Sequence, residues 1–354
     1  MSNLQLGLAI AGGLILAAVV AHGAWSARKN QPKLATPTEP VDEVVVSAVN
    51  GDTPERQEPS FDSNTGLDPL SNFALLPVLD KKPGLDALID VIAAVAMDGD
   101  VSGDAALAAM PATRRAGSKP YGVEGLNTAS GHWELPVAGQ RYNAFQCGVQ
   151  LANRLGALNQ IEYSEFVMKT QGFADAIGGE PEFPEMVDEV ARARELDLFA
   201  STHDAQLSFT LRTSSTAWSP GYVAQNAAKL GFVAGAIPGR MVLPASERGA
   251  AALLGLSFDT QAAMAEDPEQ TALREVTLSL DVPQVGRAEQ PFLRLRESAS
   301  ALATSMGGVV MDDNGNRIVP EAMDVIGTEL EQLYDTLDAR DLSAGSVLAR
   351  RLFS

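Results

Sequence analysis

Cysteine is almost missing from this chain: its 354 residues hold one, Cys147. One thiol excludes an internal disulfide and fits a reducing compartment. Cys147 lies in an alternating strand pattern, so a buried small hydrophobe is favoured over a nucleophile. Histidine is scarce as well, and His22, His132 and His203 form no spaced ligand set. Positive charge is the third shortage, with 26 Lys and Arg against 45 Asp and Glu and a net charge of −19. Nucleic-acid binding needs the opposite balance, and an anionic membrane surface would repel the bulk of the chain. No Gly-rich phosphate loop, nucleophile elbow or paired-Cys metal motif occurs. Asp312, Asp313, Asn314 and Asn316 imitate a calcium loop, but Arg317 stands where its Gly belongs and Met323 where its bidentate Glu belongs. No catalytic, cofactor-binding or metal-binding residue is therefore expected, and a binding protein is favoured over an enzyme.

One long apolar run is present. Residues 6–24, opened by Leu6 and closed by Ala24, are followed by Trp25 and then by Arg28 and Lys29. Its length approaches the ~20 residues that cross a bilayer as a helix, and Trp25 suits the interface. A cleaved signal peptide is the competing reading, but it expects basic residues before the apolar core, and none precede Leu6. Because the positive charge lies only after the run, the N-terminus is expected outside and the rest in the cytoplasm. Residues 1–27 are thus expected to be a transmembrane anchor. Residues 28–83, rich in Pro, Thr, Glu, Asp and Ser, read as a flexible acidic linker. The apolar patches 44–46 and 73–79 interrupt it. Packing of the second against the following domain is favoured.

Beyond the linker the pattern is α+β. The order β-α-β-β-β-α-α is expected twice, in a first module at 84–202 and a second at 203–340, each an antiparallel sheet with helices on one face. The second is the better punctuated. Phe292, Leu295, Ala299, Leu302 and Met306 form one helical stripe, and Gly307-Gly308 ends it. Val309-Val310-Met311 reads as a strand and Asn314-Gly315 as a two-residue turn. Pro320 opens a second helix whose stripe runs through Met323, Ile326, Leu330, Leu333 and Leu337. Residues 173–179 and 183–190 echo this stretch without its hairpin, which suggests a duplication; chance likeness of two amphipathic helices is the alternative. Residues 341–354 read as a tail, with a frayed helix end favoured over a contact site at 347–353.

A family likeness enters here. His22-Gly23-Ala24-Trp25-Ser26-Ala27-Arg28-Lys29 after an apolar span, an acidic linker, and Met306-Gly307-Gly308-Val309-Val310-Met311-Asp312-Asp313 near the end together resemble the ZipA family of bacterial cell-division proteins. The resemblance covers the apolar span and about residues 204–337. It implies a single-pass inner-membrane protein at the division septum. Its second module would bind the tail peptide of the tubulin-like protein FtsZ on the open sheet face, with no catalysis and no cofactor. Residues 84–202 depart from the family, which has one domain after the linker.

The face is the other departure. Where the family is apolar, this chain is expected to present Gln206, Ser208, Thr210, Ile237, Asp259, Thr277 and Ser279. The first module offers the more apolar Ile92, Ala94, Ala96, Tyr142 and Ala144 as an alternative peptide site, although burial of that face against the second module is favoured. A membrane-anchored scaffold of the same fold that binds a different division or envelope protein stays open as a second reading. An exported enzyme is a third.

Overall fold

The computed structural model describes Lys33 and residues 84–247, 250–265, 267 and 271–354, all within one compact body. In β1 (Asp90–Ser102), Val91, Ala93 and Val95 point into a core while Ala94 and Ala96 are exposed, the period-two alternation of a half-buried strand. Ser102 ends β1 and caps α1 (Gly103–Ala109), its hydroxyl accepting from the Ala105 N–H at 3.2 Å. The chain continues through β2 (Arg115–Ala116), β3 (Lys119–Asn127), β4 (Trp133–Glu134) and β5 (Arg141–Gln150). A small hairpin of β6 (Ala152–Asn153) and β7 (Gly156–Ala157) leads to α2 (Gln160–Ile177), β8 (Gly179–Glu182) and α3 (Met186–His203). A capping box opens α2: Asn159 accepts from the Ile161 and Glu162 N–H groups, and Glu162 accepts from the Asn159 N–H.

The second half comprises β9 (Gln206–Thr213), α4 (Pro220–Ala228), β10 (Val233–Ala234), β11 (Arg240–Leu243), β12 (Leu254–Ser257), α5 (Thr260–Ala263) and β13 (Glu275–Asp281). It continues with α6 (Pro291–Met306), β14 (Gly308–Met311) and α7 (Pro320–Asp338), and α8 (Val347–Leu352) ends the chain. Both sheets are antiparallel. The first runs β2-β3-β5-β1-β8 with β4 on β3, and the second β10-β11-β12-β13-β9-β14. Four strands correspond: β3-β5-β1-β8 in one and β12-β13-β9-β14 in the other, with the opening strand third in each row.

This correspondence corrects one expectation. The echo at residues 173–190 does contain the strand: β8 follows the left-handed Gly178 and pairs with β1 from Ala94↔Glu182 to Met97↔Gly179, as β14 follows Gly307 and pairs with β9. The Asn314-Gly315 turn has no counterpart in the echo. Gly239 at φ 77° turns the chain between β10 and β11. Asp259, expected on the open sheet face, caps the short α5 through a 2.9 Å bond from the Gln261 N–H.

Helices cover one face of each sheet. In the second half, Leu295, Ala299, Leu302 and Met306 of α6 and Val223 and Ala227 of α4 pack on Phe209, Leu211, Val276 and Leu278. In the first, Phe166, Phe173, Ala193 and Leu196 pack on Val91, Val95, Phe145 and Cys147.

The C-terminus is not a frayed end. After α7, the chain returns to the first module, and Leu342, Ala349, Leu352 and Phe353 are fully buried in that module's core. Burial of a Leu or Phe is worth about 1.5–3 kcal/mol each, which offsets the cost of ordering a short helix. Arg351 fastens it. Its guanidinium donates to both oxygens of the fully buried Asp90 at 2.9 and 2.6 Å and also to the Gly84 carbonyl. Burial pushes the Asp90 carboxyl above its ordinary value, and the Arg351 partner opposes that shift. Gln150 Nε2 donates to the Arg351 carbonyl, and Gln284 Nε2 to the Phe353 carbonyl. At the same seam Arg154 spans Asp204 and Asp281 at 2.6 and 2.7 Å.

Arg351→Met should leave Asp90 buried with the Asp86 N–H as its remaining donor, at a cost of about 3 kcal/mol in a urea-unfolding measurement at neutral pH. The pH dependence has a definite sign. A raised carboxyl pKa means that the folded state holds the proton more tightly than the unfolded one. The deficit of the variant should therefore shrink as pH falls through the Asp90 pKa and Asp90 becomes neutral.

Candidate peptide-binding faces

The face of the second sheet opposite the helices is set by register. Ser208 pairs with Ser279, Thr210 with Thr277, and Gln206 with Asp281, so these side chains share one side with Gly255 and Ser257 of β12. Their partners one residue along, Phe209, Leu211, Leu278 and Leu280, are buried on the other side. Gln206 and Ser279 are exposed, and Ser208, Thr210 and Thr277 are half-buried. The Ser208 hydroxyl donates to Asp313 Oδ1 at 2.6 Å, tying the hairpin tip to the sheet. Gln206 and Ser208 also line a hollow of about 250 Å³ with Asp312, Asp313, Arg317 and Ile318.

Two expected members lie elsewhere. Ile237 is exposed in the turn between β10 and β11, and Asp259 is the cap of α5. Four others were missed. Arg212 pairs across the face with Glu275, its Nε donating at 2.7 Å, while Val309 and Met311 of β14 lie opposite Arg212 and Thr210. Extending the alternation of β9 by one step would have found Arg212. The Val309-Val310-Met311 run gave no signal for which of its side chains points outward, because all three are apolar.

The first sheet has a different face. Ile92 lies opposite Gly148, Ala94 opposite Gln146 and Glu182, and Ala96 opposite Ala144 and Glu180. Ala94 and Ala96 are exposed, and Ile92 and Ala144 are half-buried, so this face is not buried against the second module as was favoured. Tyr142 does not belong to it. The pairing of β1 with β5 shifts between Ala96 and Val101, and the bulge turns the Tyr142 ring into the core against Phe145, with its hydroxyl on Glu134 at 2.9 Å.

Part of the first face is already occupied. Gly122 and Gly148 lie opposite each other, and Leu85 sits over them; a Cβ on Gly148 would come within 2.6 Å of Leu85 Cδ2. The Gly84 and Leu85 N–H groups both donate to Glu124, which is 2% exposed and also accepts from Gln146 Nε2 at 2.8 Å. Two glycines on neighbouring strands therefore form a socket for the incoming chain. A glycine in a strand often marks such a close approach, and this was the signal available in the sequence.

A further apolar concavity lies on neither sheet. It is a groove of about 580 Å³ between α6 and α7, floored by Phe292, Met323, Leu330 and Tyr334 and rimmed by Arg287 and Arg296. Both arginines are engaged, Arg287 with Glu331 and Asp335 and Arg296 with Asp324.

Burial raises the Cys147 thiol to about 11, which suits an inert core residue. His132 is exposed, and His203 stacks on Phe199 with ring centroids 4.3 Å apart. No group of metal-ligating side chains occurs among the described residues, and none of their helices is long and apolar enough to cross a membrane. Leu6, Ala24, Trp25, Arg28 and Lys29, the expected membrane anchor, lie outside the described residues, as do the patches 44–46 and 73–79. No protein-family model matches this chain, and no curated protein matches it.

Gly148→Val should push Leu85 off the first sheet and cost about 1–3 kcal/mol by overpacking. Hydrogen exchange at the Leu85 amide reads the displacement directly and should accelerate at least tenfold, with Cys147 and Val149 amides changing far less.

Proposed function

We propose that this protein is a membrane-tethered adaptor of the bacterial division machinery, similar to the ZipA family, that recruits FtsZ through its tail peptide to the inner membrane during septum formation. The observation that carries the reading is the outer face of β9, β13 and β12. Among the described residues it is an antiparallel sheet face that no helix covers, on the part of the chain whose sequence resembles the family. An extended or helical peptide can lie across such a surface. The ZipA-like stretch at residues 306–313 forms the end of α6 and the edge strand β14, so the residues that carry the resemblance frame this face.

The chemistry of the face sets the strength expected. Ser208, Thr210, Thr277 and Ser279 offer hydroxyls where an apolar face would remove surface from water at ~25 cal/mol per Å². Met311 and Val309 supply the apolar contact that remains. Such a face is suited to a dissociation constant of about 0.1–1 mM, a weak contact that repetition along an FtsZ filament makes effective.

A second reading rests on the groove between α6 and α7. It is more apolar than the sheet face, and its width between two helices suits the buried stripe of an amphipathic helix. On this reading the chain keeps the fold and serves as a membrane-anchored scaffold for a different division protein.

The two readings separate in one titration. Residues 84–354 should bind an FtsZ tail peptide in the sub-millimolar range by fluorescence anisotropy, and the double substitution S208R and S279E should weaken it at least tenfold. Unimpaired binding by that variant moves the site off the second sheet. No binding at millimolar peptide, with FtsZ localisation unchanged after deletion of the protein, removes the adaptor reading.

A further inference from the structure

Lys33 lies within the expected flexible linker, yet it is held against the second module from three directions. Its N–H donates to the Ala217 carbonyl at 2.7 Å, and its carbonyl accepts from the Ser219 N–H at 2.9 Å, a parallel bridge opposite Trp218. Its Nζ donates to the Met306 carbonyl at 2.6 Å and stands 5.8 Å from the centre of the Tyr222 ring. Met306 is the last residue of α6, where carbonyls lack partners within the helix and the macrodipole favours a cation. The buried Trp218 fixes the site. Its indole N–H donates to the same Met306 carbonyl at 2.9 Å, and its backbone N–H donates to the Leu273 carbonyl while its carbonyl accepts from the Leu273 N–H.

We infer that Ala217–Ser219 and the C-terminus of α6 form a docking site for a lysine whose backbone pairs in parallel with Trp218, and that its occupant is this chain's own Lys33. Backbone pairing on both sides of one residue selects an extended chain. The helix carbonyl and the aromatic face select a long cationic side chain. Arginine satisfies the same two groups, whereas a carboxylate opposes them both.

The consequence for the architecture rests on the reading of residues 6–24 as a membrane span. A flexible stretch 28–83 would let the domains wander from the membrane. With Lys33 docked, the second module is joined to the end of the apolar run by nine residues, which reach about 30 Å fully extended.

Hydrogen exchange on the full chain in detergent micelles tests the docking itself, independently of whether the apolar run spans a membrane. Lys33→Glu should accelerate exchange of the Ser219 amide at least tenfold while leaving the Trp218 amide, bonded to Leu273, unchanged, and Lys33→Arg should restore protection. An unchanged Ser219 amide in Lys33→Glu overturns the proposal. If the Trp218 amide accelerates as well, tryptic cleavage after Lys33 in the unaltered chain decides. Cleavage at least tenfold slower than in a synthetic peptide of residues 28–40 supports docking, and equal rates overturn it.

Discussion

One buried carboxylate holds the parts of this protein together. Asp90 begins β1 of the first sheet, is fully buried, and takes Arg351 from the last helix on its side-chain oxygens. Its backbone carbonyl takes Arg192 of α3 at 2.7 Å, and the same Arg351 reaches the Gly84 carbonyl, where the chain enters the first module. A buried ion pair is a weak source of net stability, because desolvation cancels most of the attraction. Its value is in specifying geometry: an unpaired Asp90 is costly, so the N-terminal entry, β1 and the C-terminal helix must meet at one place. The first module therefore cannot be completed until the second has been traversed, because Leu337, Leu342, Ala349, Leu352 and Phe353 return to its core.

That closure bears on function by leaving two sheet faces unequal. Leu85, seated over Gly122 and Gly148, occupies part of the first face, and Glu124 pins the segment there. The second face has no comparable strap among the described residues. It carries hydroxyls and one cross-strand ion pair, Arg212 with Glu275. A peptide arriving at the second face meets hydrogen-bonding groups that are already solvated, which costs little to maintain and contributes little apolar burial. The contrast suits a surface that engages and releases.

Much of the fold was legible because local rules agreed with each other. Gly178 and Gly307 end helices in the left-handed conformation, Ser102 and Ser219 cap as their positions suggest, and the stripe through Leu295, Ala299 and Leu302 is buried as its period requires. What escaped the sequence was decided at long range. The inward turn of Tyr142 follows from a bulge in a neighbouring strand, which no alternation within β5 reveals. The burial of Leu352 and Phe353 depends on a distant partner, since Arg351 and Asp90 lie 261 positions apart. β8 reads Gly-Glu-Pro-Glu, a sequence poor in strand formers, and becomes a strand because the edge of β1 is there to pair with it. The candidate site divided in the same way: Ser208, Thr210, Thr277 and Ser279 followed from alternation, while Ile237 and Asp259 were misplaced by turns.

The central claim, that the outer face of β9, β13 and β12 receives the FtsZ tail, is tested most directly by mapping backbone amide shifts of the full chain on addition of the tail peptide. The account predicts that shifts concentrate at Ser208, Thr210, Arg212, Thr277, Ser279 and Met311. Shifts confined to Phe292, Gly327 and Leu330 in the groove between α6 and α7, or to Ala94 and Ala96 on the first sheet, would contradict it.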